Sequence, residues 1–303
     1  GDDEFEFDHS EDDFEFNADP IPPVDALGID EGTINRLVAA DPGTVEDLVA
    51  VEPSLTAEDA DAIPVLRRVT ALLRLLHEHG GVNATAKGFL SSAVVKELFS
   101  GAYADAEKSY IKVNREGDSQ TLLFERKLAQ KGGLIRLSNR RFTPTKPAER
   151  ALAEGDHNEV YRRLLTAYLK RPAILDEFDR MEVGDLVSAT QFILLHACRA
   201  TSPKLLYDED LTITLLRLFP DSIQEIPPGY WSPFDDICHA VDLRFFTRFG
   251  VPFGLFEPTA AYTPPVEKEV SDRRGAEWPY RIYRNGPWTR TARFDKIFRW
   301  SID

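Results

Sequence analysis

Charge is spread so unevenly along this chain of 303 residues that its two parts cannot fold by the same rules. Residues 1 to 61 hold 20 Asp or Glu and a single basic residue, Arg36, for a net charge of -19. Residues 62 to 303 hold 31 acids and 35 bases, for a net +4. The whole-chain value of -15 therefore hides an acidic head and a slightly basic body, and partners must be argued for each separately.

The head opens GDDEFEFDHSEDDFEFNADPIPP. Its carboxylates repel one another, and Phe5, Phe7, Phe14 and Phe16 cannot bury enough area to offset the entropy of ordering them. Residues 1 to 23 are thus expected to be a disordered tail and linker. Such a run either keeps the chain soluble or docks a basic protein partner, with spaced Phe side chains in apolar pockets and carboxylates on the partner's rim.

Residues 24 to 63 carry three short apolar groups, Ile34, Leu37 and Val38, then Val45, Leu48 and Val49, then Leu55, Ala60 and Ile63, which predict three short helices. Thr44 with Asp47, and Thr56 with Asp59, have capping-box spacing. The order of elements, with Leu27-Gly28-Ile29 and the stretch from Thr44 to Leu48, resembles a helix-hairpin-helix repeat, a family whose hairpin glycine amides contact DNA phosphates. Ser54 stands where the second hairpin glycine would be, and Asp30, Glu31, Glu58 and Asp59 would repel a phosphate. The resemblance therefore implies a protein-binding or structural copy.

In the body, Val65, Leu66, Val69, Leu72, Leu73 and Leu76 mark one face of a helix stopped by Gly80 and Gly81. Three motifs then share an apolar residue, Asn or Thr, any residue, and Thr: Val82 to Thr85, Phe142 to Thr145 and Trp288 to Thr291. Each apolar residue is expected to end a strand, and Thr85, Thr145 and Thr291 to cap a following helix. Around the second motif, Leu134 to Leu137, the turn Ser138-Asn139-Arg140 and the return Arg141 to Thr143 predict a hairpin wing. Around the third, Tyr280 to Tyr283, Asn285-Gly286 and Trp288-Thr289 predict another. The expected fold is mostly α with small β-hairpins, an α+β arrangement of tandem winged-helix-like units on a helical frame. Units one and two would occupy residues 64 to 156, the frame residues 157 to 230, and the third unit residues 231 to 303.

Thr85 to Leu90, Gly133 to Arg136, Phe142 to Thr145, and Arg293-Phe294-Asp295-Lys296-Ile297-Phe298 together resemble an uncharacterised bacterial family. It is named after a plasmid open reading frame, and its members are sometimes fused to a Sec-C motif. The resemblance covers about residues 65 to 303 and supplies no catalytic residues. Where that family's Thr-x-x-Gly has its glycine, the second motif has Pro147 or Ala148.

No glycine-rich phosphate loop and no G-x-S-x-G elbow is present, and no pair of carboxylates is singled out by spacing. His196, Cys198, Cys238 and His239 are the one set that could be tested as zinc ligands. Their close spacing on helices turns the members of each pair in different directions, so buried thiols and core imidazoles are expected, with no metal and no cofactor. Two cysteines, no apolar run of ~18 residues and an acidic start predict a cytoplasmic chain without a membrane partner.

The leading expectation is a non-enzymatic, nucleic-acid-binding or regulatory protein. DNA or RNA would be held by Lys87, Arg136, Arg140, Arg141 and Lys146 around the second wing, and by Arg284, Arg290, Arg293 and Lys296 around the third. The alternative is a protein-protein adaptor that binds no nucleic acid. A continuous positive stripe that includes both wings favours the first; scattered arginines paired with Asp and Glu favour the second.

Overall fold

A computed structural model describes residues 27–107, 112–170, 183–200, 205–224, 226, 232–259 and 287–302. Phe5, Phe7, Phe14 and Phe16, the strand expected at 280–283, Asn285-Gly286 and Arg284 lie outside the described residues.

After α1 (Glu31–Leu37), capped by Asp30, the chain makes a 3-10 turn at Pro42–Thr44 and then strand β1 (Val49–Val51). The helix expected around Val45 to Val49 is absent. Asp47 holds Arg36 in a bidentate pair at 2.7 and 2.9 Å instead of serving Thr44, and β1 pairs antiparallel with β7 (Phe298–Trp300). Two β-branched residues facing a strand partner 251 positions away, Val49 opposite Trp300, outweigh a weak local helix signal. The second cap spacing is realised: Thr56 and Asp59 form a capping box at the start of α2 (Ala57–Ala62).

Helix α3 (Pro64–Glu78) follows, with the predicted face buried, and then strand β2 (Val82–Asn83). Helices α4 (Ser92–Phe99) and α5 (Gln120–Lys131) precede the hairpin of β3 (Ile135–Ser138) and β4 (Arg141–Pro144). The sheet order is β2-β4-β3, with Val82 opposite Phe142 and Ile135 opposite Pro144. The first and second motifs, read as two units, are therefore neighbouring strands of one sheet. The first had no hairpin of its own because its strand completes the second. Gly81 permits this: at φ +97 it lies so close to β4 that a Cβ would meet the Thr143 methyl at 2.6 Å. Thr85 caps no helix but closes a tight turn, accepting from the Phe89 amide at 3.1 Å, whereas Thr145 does cap α6 (Lys146–Glu154).

Helix α7 (His157–Lys170) packs on α5 and α6. Then come α8 (Gly184–Ala189), α9 (Gln191–Ala200), α10 (Asp208–Leu218) and α11 (Pro233–Ala240), which runs on into a π-helix at Val241–Gly250. Strand β6 (Trp288–Arg290) pairs with β5 (Phe256–Pro258). Thr291 is not a helix cap. Its buried hydroxyl donates to the Gly254 carbonyl at 2.6 Å, because the chain there is anchored to β5's approach rather than opening a helix. Among the described residues, one hydrophobic cluster runs from Leu27 to Ile302, so those from 64–156, 183–226 and 232–302 share a core. Among the described residues, no helix is long and apolar enough to cross a membrane.

Candidate nucleic-acid interface

Hairpin β3–β4 has a two-residue turn, Asn139-Arg140, closed by the pair Ser138 and Arg141. Both turn residues have positive φ, +48 and +57, as a type I′ turn requires. Asn tolerates that region; Arg, at a position where glycine is favoured, does so at a steric cost.

Side chains alternate along the hairpin. Phe142 and Ile135 are buried, while Arg136, Ser138 and Arg141 are exposed. Because directly opposed residues share a face, Arg136 and Thr143, Ser138 and Arg141, and Asn83 beyond them all lie on the outward surface. Arg136 donates to the Thr143 hydroxyl at 3.3 Å and Arg141 to the Gly81 carbonyl at 3.2 Å, so both are steadied by neutral groups. The Ala84 amide donates to the Arg140 carbonyl at 2.7 Å, which brings the turn carrying exposed Lys87 beside the hairpin tip. Exposed Lys146 opens α6 directly after β4. Among the described residues, none of Lys87, Arg136, Arg140, Arg141 and Lys146 forms an ion pair. Leu137, opposite Phe142 and so on the other face of the hairpin, is 43% exposed.

The C-terminal cations are placed otherwise. Lys296 holds Asp59 at 2.7 Å and so draws that carboxyl down to about 2. Arg290 lies 3.6 Å from Asp295, stands over the Phe294 ring and donates to the Arg199 carbonyl at 3.0 Å. Arg293 donates to the Gly254 carbonyl at 3.3 Å. Arg299, in β7, grips Glu52 at 2.8 Å. These groups fasten residues 52–59 and the 254 turn to the C-terminus.

Two buried ion pairs went unremarked in the sequence. Arg68 of α3 holds Glu125 of α5 at 2.6 Å, with both side chains almost fully buried, and Arg126 pairs with Glu116 beneath the Phe142 ring. The signal was available for the first: Arg68 sits between Val65 and Leu72 on the apolar face, where a charge needs a partner.

The tested zinc set does not assemble. His196 points Nε2 at the Leu27 carbonyl, 3.1 Å away, and its ring lies near Trp300, with burial pulling its pKa down. Burial pushes the Cys238 thiol up to about 12 and raises Cys198 as well, which keeps both protonated at neutral pH. Among the described residues, no group of three His, Cys, Asp or Glu is placed to hold a metal.

No model of a known protein family, no curated protein and no solved structure matches this chain.

Proposed function

We infer that this chain is a non-enzymatic nucleic-acid-binding protein that contacts phosphates through the β3–β4 hairpin. The observation that carries the reading is the set of five exposed cations on and beside the hairpin, with no carboxylate partner among the described residues. The other basic candidates in those residues are bonded within the protein. An arginine kept at φ +57, where it costs conformational energy, supports a task for the hairpin tip.

The order helix, strand, two helices, hairpin, with sheet order β2-β4-β3, supports treating residues 64–156 as one winged-helix-like unit. The resemblance to the bacterial family named after a plasmid open reading frame belongs to the same reading. The acidic head, tethered to this body, competes with nucleic acid for the hairpin cations. Charge reversal of Arg140 and Arg141 to Glu should weaken binding to any duplex, with folding checked by thermal melting. Removal of residues 1–23 should strengthen it, most at low salt. Absence of binding by full-length and truncated protein alike would end this reading.

A second reading, a protein-protein adaptor, is favoured by a different place. Leu205 and Tyr207, 40% and 41% exposed, line a groove of about 150 Å³ together with Leu27, Ala197 and Leu211 and with the polar Asp210 and Thr214. Exposed apolar residues at a concave site suit a protein ligand.

A further inference from the structure

We propose that the chain grips duplex DNA by its phosphate backbone alone and does not discriminate base sequence, because the helix placed to read bases is closed off within the protein. This rests on the function proposed above and deepens it: contacts made with a duplex do not report its sequence.

Sequence is read when a helix brings three or four neighbouring side chains to base edges in the major groove, with its N-terminal end foremost. In residues 64–156 the helix that leads into the hairpin is α5. Three observations close it. Leu122, Leu128 and Ala129 are buried, and so are Glu125 and Arg126, which are held in ion pairs. A second side is covered by α7: Phe124 meets the Tyr168 ring edge-on at 6.3 Å, and a Cβ on Gly132, which caps α5, would stand 3.0 Å from the Arg163 carbonyl. The N-terminal end already holds a carboxylate. Glu107 accepts from the Ser119 hydroxyl at 2.6 Å and from the Thr121 amide at 3.2 Å. A phosphate arriving there would meet negative charge and amides already bonded.

Of the half-buried polar residues of α5, Thr121 donates to the Ala106 carbonyl at 3.1 Å, Gln130 accepts from Arg126 and Lys127 is engaged within the protein; the exposed residues are Gln120 and Lys131. They stand at opposite ends of the helix, roughly 16 Å apart along its axis, too far to read adjacent bases together. The hairpin set of Lys87, Arg136, Arg140, Arg141 and Lys146 is exposed and has no carboxylate partner among the described residues. Those side chains suit phosphate oxygens, which position a protein on DNA without reporting sequence.

The test uses the full chain and short duplexes that are A·T-only, G·C-only and mixed, together with selection from a randomised duplex pool. Titrations run from ~50 to ~200 mM salt, where counterion release is resolved. Affinities should agree within about threefold across the duplexes, and the pool should yield no consensus, as expected of backbone contacts. The slope of log K against log salt should be about -4.5 or shallower, at roughly 0.9 for each of at most five phosphate contacts. Gln120→Ala and Lys131→Ala should leave affinity within about twofold, whereas Arg140→Glu should weaken every duplex by about tenfold. An enriched consensus, or a duplex preference abolished by Gln120→Ala, would show that α5 reads bases; it would overturn this inference and leave the proposed function standing. A slope steeper than about -6 would place contacts beyond the hairpin and overturn it too. No binding to any duplex, by the full chain and by the chain without residues 1–23 alike, would overturn both.

Discussion

Val82 and Phe142 lie directly opposite one another in the antiparallel pairing of β2 with β4, joining two stretches of chain 60 residues apart. Phe142 is fully buried, under the Arg126 guanidinium. Its replacement by Ala should cost about 3–5 kcal/mol, from lost burial and the cavity left behind. Since both strands belong to one sheet, α3 and α5 should lose protection together. Hydrogen exchange across residues 64–156 checks this, and separate loss of β2 and the hairpin would contradict it.

At the hairpin tip, stability and binding should move in opposite directions. Arg140→Gly removes the penalty of a side chain at φ +57, partly offset by the greater freedom of glycine in the unfolded chain. The variant should be more stable by about 0.5 kcal/mol and bind DNA more weakly. Denaturant midpoints and duplex titrations measure the two effects. A variant both less stable and equally tight would remove the case that the tip is shaped for a ligand.

Glu125 and Arg68 are buried as a pair between α5 and α3. Glu125→Ala leaves the guanidinium buried without its anion and should cost about 3–5 kcal/mol. Arg68→Met combined with Glu125→Leu should recover most of that, since an apolar pair of similar size needs no compensating charge. Urea unfolding of the single and double variants gives the comparison.

The contact of Lys296 with Asp59 makes attachment of the N-terminal segment sensitive to acid. Hydrogen bonding to Lys296 holds the Asp59 carboxyl at about 2, below its ordinary 3.8. The folded form is thus favoured above pH 3.8, and that contribution is lost as pH falls toward 2. With Lys296 partly exposed, the contact is worth about 1 kcal/mol. Lys296→Met should lower stability at pH 6 by that amount and flatten the loss between pH 4 and pH 2, as read by unfolding at each pH.

What could be read locally was read well where one element contained the whole signal. The apolar face from Val65 to Leu76 marks α3, Thr145 caps α6, Thr56 and Asp59 form their capping box, and the turn at Asn139-Arg140 closes the hairpin. These features depend on residues at most about four apart, or directly opposed across a short turn, where propensity and hydrogen-bond geometry dominate. The cations of the hairpin were legible as a cluster for the same reason.

The sequence by itself determined the helices at α3 and α6, where the hairpin turns, and how the charge divides between head and body. The tertiary structure alone decided that Val82 completes the hairpin's sheet, that Val49 to Val51 is a strand laid against Phe298 to Trp300, and which cations remain free. Lys296 and Arg140 are alike in sequence terms, each a base near an apolar motif. One meets Asp59 across 237 positions; the other faces outward at a turn. The reason is physical: an ion pair or strand partner is fixed by where the folded core carries two distant segments, and no periodicity within either segment encodes that distance.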